Sequence, residues 1–312
     1  MEKIICGVDV SSETLDGRIG QSGPFIKVAR TPEGISDLKA FCAGHGVELV
    51  VMEATGGYEK LPFGLLWSQG LACAIVNPRS VRRFAEAMGF LEKTDRIDAG
   101  IIAHYAQVKR LVGQAPASAA QERLRALVTR MRQLTQMKVV QINQRRLIGD
   151  PTVLASIDEV TAVIRRQIKA FEADIAELLG ADPLWRALDE AFREVKGVAG
   201  RTIARLAAEM PEIGTLTGKA SAKLVGLAPL AKDSGKRHGK RSVRGGRAHL
   251  RSILFVVAAV VCKHEPEFAA FRERLLAKGK TKMAVRIAVA RKLLVRLNAK
   301  ARDARTALAM AA

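Results

Sequence analysis

Four acidic residues in the first third of the chain have the types and spacing of a metal-dependent catalytic site. Asp9 ends an apolar run over residues 4–8, and Glu53 ends another over residues 49–52. A strand that is apolar on both faces is a central buried strand, so a carboxylate at its end is costly unless it is exposed or bound to a positive group. Asp95 and Asp98 are three residues apart, which places both on one face of a helix.

These four carboxylates can converge on one site, because ligands of open α/β sheets bind at the carboxyl ends of the strands. Hard oxygen ligands suit Mg²⁺ or Mn²⁺. Two such ions about 4 Å apart can stabilise the attacking and the leaving oxygen of a phosphodiester displacement. Taken singly, each acid has an ordinary explanation as a strand-end turn or a helix cap. The set of four is more specific than any one of its members.

The first 110 residues predict the α/β domain that must position these acids. Short apolar runs separated by turn residues indicate strands. Three early strands followed by alternating helices and strands indicate a mixed sheet with helices packed on it. The predicted strands are residues 4–10, 15–19, 25–29, 49–52 and 71–76, and the predicted helices are residues 34–43, 58–69, 80–88 and 95–110.

The rest of the chain is predicted to be helical. Residues 111–190 contain two long helices with narrow apolar seams, which indicate a helical hairpin or a coiled coil with another subunit. Residues 191–312 predict a mainly α domain interrupted by a basic, glycine-bearing loop over residues 232–247. The sequence therefore predicts three domains, over residues 1–110, 111–190 and 191–312.

The positive charge of the chain is concentrated outside the acidic region. The 51 Lys and Arg residues exceed the 31 Asp and Glu residues by 20, yet residues 1–110 hold 13 of each sign. Residues 271–305 alone carry 12 basic and 2 acidic side chains. A long polyanion is the simplest partner for this basic half, while the neutral part is suited to chemistry.

The sequence also limits the compartment. The four cysteines form no CxxC pair, so we expect buried, reduced thiols instead of a zinc ribbon or a disulfide framework. The longest apolar stretch has ten residues, fewer than the roughly 20 that span a bilayer. We therefore expect a cytoplasmic, nucleoid-associated protein with no membrane partner.

Four N-terminal motifs occur together in the chain. They are Gly7-Val8-Asp9-Val10, Glu53-Ala54-Thr55-Gly56-Gly57-Tyr58, Val76-Asn77-Pro78 and Lys93-Thr94-Asp95-Arg96-Ile97-Asp98-Ala99. Together these motifs closely resemble those of the DEDD transposases of insertion-sequence family one-ten, and the resemblance runs in order over nearly the whole chain. It implies a RuvC-like N-terminal domain with an RNase H fold, in which Asp9, Glu53, Asp95 and Asp98 are the metal-binding tetrad for Mg²⁺, with Mn²⁺ as a substitute.

The resemblance also selects a serine in the basic loop. From the residues alone, Ser234 and Ser242 are equal candidates and ordinary turn serines, since a serine hydroxyl needs activation by a base or a metal. The C-terminal match, Gly226-Leu227-Ala228-Pro229 with Ser234-Gly235, Gly239 and Leu250-Arg251, implies that Ser234 is the nucleophile. Basic residues suited to phosphate surround it, and with Arg251 they are Lys232, Lys236, Arg237, Lys240, Arg241, Arg244 and Arg247.

A further segment predicts contact with nucleic acid. The segment over residues 195–202 resembles a helix-hairpin-helix, so Gly197 and Arg201 are candidates for a phosphate contact, with a plain helix–helix turn as the alternative.

The resemblance to the transposase family also implies partners. It implies a structured guide RNA that chooses donor and target DNA, and a site in which the DEDD and serine domains cooperate. Paired cuts favour a homo-oligomer, either a dimer or a tetramer.

The sequence as a whole indicates a DNA transposase or recombinase. A serine that attacks a DNA phosphate retains the phosphodiester energy in a covalent phosphoserine, so strands can be rejoined without ATP. The alternatives are a site-specific DNA invertase with the same motifs, a junction-resolving nuclease that uses the tetrad alone, and a nucleic-acid-binding protein with a defunct site.

Overall fold

The computed structural model describes residues 3–90, 92, 94–231, 233–235, 237–239 and 241–311, with only the backbone of residues 237 and 238. The chain divides into two compact units, Met1–Ala117 and Ser118–Ala312. No helix among the described residues is long and apolar enough to cross a membrane.

The first unit is built on a mixed five-stranded sheet. Its strands are β1 Ile5–Val10, β2 Thr14–Ile19, β3 Phe25–Ala29, β4 Leu49–Glu53 and β5 Cys73–Val76. They lie in the order β3-β2-β1-β4-β5. The first three strands pair antiparallel, whereas β4 pairs parallel to both β1 and β5. The predicted α/β class of this region is confirmed.

Among the described residues of the first unit, four helices cover the sheet. They are α1 Pro32–Gly44, α2 Lys60–Ser68, α3 Pro78–Ala87 and α4 Asp95–Val108. Side chains alternate between the two faces of each strand. Cys6, Val8 and Val10 of β1 pack in the same core as Ile35 and Leu38 of α1. On the opposite face, Ile5 and strand residues of β4 and β5 pack against α3 and α4, so the sheet has a separate apolar core on each side.

The second unit is helical, as predicted. Its helices are α5 Ala119–Arg145, α6 Pro151–Ala181, α7 Pro183–Arg193, α8 Gly200–Glu209, α9 Gly218–Val225, α10 Ala248–His264, α11 Pro266–Ala277 and α12 Lys282–Ala311. Two short strands, β6 Asp233–Ser234 and β7 Arg237–His238, form a separate hairpin. One apolar core runs from α5 to α12, so the two long middle helices share it with the C-terminal helices.

Helices α5 and α6 form a hairpin within the chain. Leu124, Met131 and Leu134, which follow one another at helical spacing along α5, are buried in the shared core. Near the turn between the helices, Arg145 donates two hydrogen bonds to Asp158, at 2.7 and 3.0 Å. The predicted coiled-coil geometry stays a prediction.

Candidate active site

The close approach of α4 to β1 brings two of the predicted acids together. A Cβ atom added to Gly7 would lie 2.1 Å from the carbonyl oxygen of Ala99 and 2.5 Å from the amide nitrogen of Ala103. Only a glycine therefore lets the backbone of α4 lie directly on this strand. Asp9 is two residues beyond Gly7 and so shares its sheet face, while Asp98 immediately precedes Ala99.

The pKa of Asp9 reflects its proximity to Asp98. Burial raises the pKa of the Asp9 carboxyl above its ordinary value, and the negative charges of Asp98 and then Asp95 raise this pKa further. Asp9, Glu53 and Asp98 line one cavity of about 480 Å³. The structure thus brings three of the four predicted acids to one cavity and places Asp95 close enough to act on Asp9 through its charge.

Asp95 belongs to a charged row that sequence reasoning missed. Lys27 on β3 lies 3.3 Å from Asp16 on β2 and 3.7 Å from Asp95 on α4. Asp16 is only 3% exposed and pairs directly with Asp9 across the strands, so its charge also raises the pKa of Asp9. The alternation in β2, which places Asp16 and Thr14 on one face, is the signal that could have revealed this row.

The loop after β4 is held by a buried carboxylate. Glu59 is 8% exposed, and its Oε2 accepts hydrogen bonds from the amides of Thr55 and Gly57, both at 2.9 Å. The Thr55 hydroxyl donates to the Glu53 carbonyl at 3.2 Å. Gly56 and Gly57 have φ angles of 65° and 111°, which favour glycine. These features explain why the Glu-Ala-Thr-Gly-Gly segment can fix the position of Glu53.

The acids fit a hard divalent cation. Carboxylate oxygens are the ligands that Mg²⁺ and Mn²⁺ prefer. Burial, and then repulsion from Asp98 and Asp95, raise the pKa of the Asp9 carboxyl, and the charge of a bound cation would offset both effects. Among the described residues, no group of three or more His, Cys, Asp or Glu side chains lies close enough together to hold a metal ion.

Basic side chains share this cavity with the acids. Arg79, Arg82 and Arg83 of α3 line it together with Asp9 and Glu53. Sequence reasoning missed these arginines because they lie in the electrically neutral third of the chain. Their spacing on a helix, three and four residues apart, was the available signal.

The predicted nucleophile lies on the small hairpin of the second unit. Ser234 is exposed, and its residue pairs with Arg237 across β6 and β7. Gly235 follows it with a φ of 53°, which suits the tight turn. Ser242, the rival candidate, lies at the base of the hairpin, where its carbonyl accepts the Leu230 amide at 2.9 Å.

The predicted basic residues around Ser234 differ in how they are used. Arg241 lies 3.6 Å from Asp233, and Arg244 is exposed. Arg247 lies 2.5 Å from Glu212, and Arg251 donates to the carbonyl of Gly245 at 2.5 Å, so these two guanidinium groups hold the base of the loop. The predictions for Lys232, Lys236 and Lys240 fall outside the described residues, as does the side chain of Arg237.

The turn with the helix-hairpin-helix resemblance is tightly packed. Gly197 has a φ of 100°, and an added Cβ would lie 3.2 Å from Val261. The Lys196 amide donates a hydrogen bond to the Glu265 carboxylate at 2.8 Å, so this N–H group already has an acceptor within the chain. Arg201 forms an ion pair with Glu172.

Comparison with known proteins defines the class of the chain. A family profile named DEDD_Tnp_IS110 and described as "Transposase" matches residues 6–148. A second profile, described as "Transposase IS116/IS110/IS902 family", matches residues 189–273. The first covers the acids and the second covers Ser234, so both predicted parts of the site lie within segments typical of insertion-sequence transposases.

The chain therefore belongs to the IS110 family of transposases, which are DNA-recombining enzymes. It is 27% identical over 305 residues, 94% of both chains, to proteins named "Pilin gene-inverting protein" from Moraxella lacunata and Moraxella bovis. An uncharacterised insertion element IS110 protein of Streptomyces coelicolor is 32% identical over 154 residues, which is 48% of this chain and 37% of that protein.

Proposed function

We propose that this transposase cuts and rejoins DNA through a Mg²⁺-dependent carboxylate site and a serine nucleophile. The observation that carries the proposal is the cavity lined by Asp9, Glu53 and Asp98, with Asp95 close enough to raise the pKa of Asp9. The mixed sheet that positions these acids supports the RNase H-like fold implied by the sequence resemblance.

The reaction requires the carboxylates to be ionised and fixed. Bound divalent cations supply charge stabilisation for the attacking and leaving oxygens of a phosphodiester. The chain holds Asp9 on β1 and Asp98 on α4 through the contact at Gly7, and it holds Glu53 through the loop organised by Glu59. These contacts fix the ligands before DNA binds, which reduces the reorganisation needed in the transition state.

Ser234 is proposed to form the covalent intermediate. Its Oγ bonds to phosphorus as the bond from phosphorus to the departing strand oxygen breaks, and the serine proton passes to that leaving oxygen or to solvent. A hydroxyl of the new strand then displaces Oγ, which restores the serine and seals the DNA. The exposure of Ser234 at the hairpin supports this role, because a nucleophile must reach a backbone phosphate.

The carboxylate site is tested by isosteric substitutions. Asp9→Asn, Glu53→Gln, Asp95→Asn and Asp98→Asn should each abolish DNA cleavage while leaving the chain folded. Loss of one ligand removes about 3 kcal/mol or more of transition-state stabilisation, roughly a hundredfold in rate. Cleavage should require Mg²⁺ or Mn²⁺. Undiminished cleavage in EDTA, or by any two of the four variants, would overturn the assignment.

The serine role is tested by trapping the adduct on a nicked suicide substrate and locating it by peptide mass spectrometry. Ser234→Ala should eliminate the protein–DNA adduct and recombination while leaving binding largely intact, since one neutral hydroxyl contributes about 1 kcal/mol. Ser242→Ala is the matched control on the same loop. An adduct on Ser242, or full recombination by Ser234→Ala, would refute the role.

A site-specific invertase is the second candidate function, favoured by the similarity to the Moraxella proteins over 94% of the chain. We propose guidance by a structured RNA for the transposase case. Sequencing RNA that copurifies with the chain tests this: a discrete RNA encoded beside the gene supports guidance, and its absence favours the invertase. The proposed dimer or tetramer is tested by light scattering of the full chain.

A further inference from the structure

We propose that Arg79, Arg82 and Arg83, here named the α3 arginine strip, bind the phosphates of the DNA strand that is presented to the carboxylate cavity. The proposal rests on the proposed function, in which that cavity cuts DNA. It assigns a phosphate-binding site to the first unit, whose overall charge balance gives no sign of one.

The Val76-Asn77-Pro78 segment explains how the strip reaches the acids. Glu53 at the end of β4 pairs in register with Val76 at the end of β5. Directly after β5, the Asn77 side chain accepts a hydrogen bond from the Arg79 amide at 2.9 Å and caps α3. Pro78 occupies the first turn, where proline favours helix initiation. The helix is therefore forced to begin beside Glu53.

The strip lies on one face of α3 and opens to the cavity. Residues three and four apart are neighbours on a helix, and all three arginines line the 480 Å³ cavity with Asp9, Glu53 and Asp98. All three are exposed. Arginines this close to carboxylates would be expected to pair with them, so their actual partners are informative.

Ion pairs within the fold engage little of the positive charge of the strip. Arg82 lies 3.2 Å from Glu86, a partner on the same helix whose side chain is 52% exposed. In the part of the chain that the structure describes, neither Arg79 nor Arg83 has a carboxylate within 4.0 Å. An exposed pair such as Arg82–Glu86 is weak, and a phosphate accepting two N–H bonds competes well with it.

The chemistry of the cavity selects a DNA strand as the ligand. A wall of carboxylates repels phosphates, so a strand that places one phosphate among the acids needs compensating cations for its neighbours. Guanidinium groups suit this task, because they stay charged and bind phosphate oxygens in pairs. Three of them along one helix face can follow consecutive phosphates of a single backbone.

The test compares two variants of the full chain that remove positive charge from the first unit. Arg79→Gln/Arg82→Gln/Arg83→Gln removes the strip. Lys109→Gln removes one charge just after the far end of α4, eleven residues or about 16 Å from Asp98. Affinity for a 30-base-pair duplex DNA is measured by fluorescence anisotropy at 50 to 200 mM salt with Ca²⁺, so that turnover is not required. Melting temperatures verify that both variants are folded.

Three lost contacts should make the slope of log affinity against log salt shallower by about 2.7, since each phosphate contact contributes roughly 0.9. The factor by which affinity falls between 50 and 200 mM salt should therefore be about 40 times smaller for the strip variant than for the wild-type chain. Lys109→Gln should leave the slope unchanged. An unchanged slope for the strip variant overturns the proposal, and a slope changed for single-stranded RNA but not for duplex DNA replaces it with an RNA site.

A conservative variant separates charge from geometry. Arg82→Lys should keep the salt slope, because the charge remains, yet lower kcat/KM for cleavage about tenfold through loss of the paired N–H bonds. If Arg82→Lys and Arg82→Gln reduce the salt dependence of DNA affinity equally, the positive charge of residue 82 does not make the contact. If the carboxylate variants of the proposed function fail to affect cleavage, the slope measurement still decides the strip independently.

Discussion

Replacing Gly7 with alanine should separate α4 from β1 and damage the site without touching any carboxylate. The added methyl would lie 2.1 Å from the Ala99 carbonyl oxygen, whereas real contacts of this kind are not shorter than 3.0 Å, so the two backbones must part by about 0.9 Å. Overpacking of a core costs about 1 to 3 kcal/mol. A misplacement of about 1 Å can cost a hundredfold in rate.

Thermal melts and Mg²⁺-dependent cleavage measure the two effects together. Gly7→Ala should lower Tm by several degrees and reduce cleavage by about a hundredfold. Gly64→Ala is the control, because Gly64 lies in α2 and a Cβ there meets no atom within 4 Å; it should be neutral or slightly stabilising. Wild-type Tm and cleavage in Gly7→Ala would show that α4 is not held against β1 at this point.

Three further predictions concern the supports of the site. Since the folded-state pKa of Asp9 is raised, the metal-free chain should lose stability as pH rises from the ordinary aspartate range through that raised pKa. Asp9→Asn should therefore have a higher Tm than wild type at pH 7 in EDTA, with a difference that vanishes in acid; a difference that persists unchanged in acid would contradict the raised pKa of Asp9. Lys27→Met should lower Tm by leaving buried Asp16 without its cation; Asp16→Asn in the same chain should restore it, and failure to do so would contradict the pairing. Glu59→Ala should destabilise the chain by about 2 kcal/mol in urea titrations, because two amides lose their acceptor; an unchanged midpoint would show that the loop does not depend on this carboxylate.

The central strands of the first unit could be predicted because each is a short apolar run between turn residues and is buried on both faces of the sheet. The apolar run over residues 4–10 predicts a strand, and β1 spans Ile5–Val10. The sequence also predicts a helix that begins at residue 95, and α4 begins at Asp95, where the Thr94 hydroxyl accepts a hydrogen bond from the Ile97 amide. The convergence of Asp9 with Asp98 could be predicted from these two elements. The contact at Gly7 that brings the two elements together could not be predicted, because a glycine in a strand does not reveal which backbone approaches it.

The charge count could not reveal which basic residues are engaged within the fold. Lys292 and Arg296 of α12 both lie near Glu267, at 2.6 and 3.1 Å, and Arg305 donates to the Ile213 carbonyl at 2.8 Å. These residues contribute to the 12 basic side chains of residues 271–305, yet their guanidinium and ammonium groups already have partners. A sequence shows how many cations a segment has, whereas the number available to phosphate depends on tertiary contacts between distant segments.

The same reasoning applies to the neutral first unit in the opposite direction. Its 13 basic and 13 acidic residues over positions 1–110 cancel in number but not in space, because acids line the cavity beside the α3 arginine strip. At physiological salt, charges separated by more than about 8 Å are largely screened. On the proposed function, a DNA strand bound in the cavity would respond to the local arrangement of carboxylates and arginines, so the zero net charge of the region does not predict how strongly such a strand would be held there.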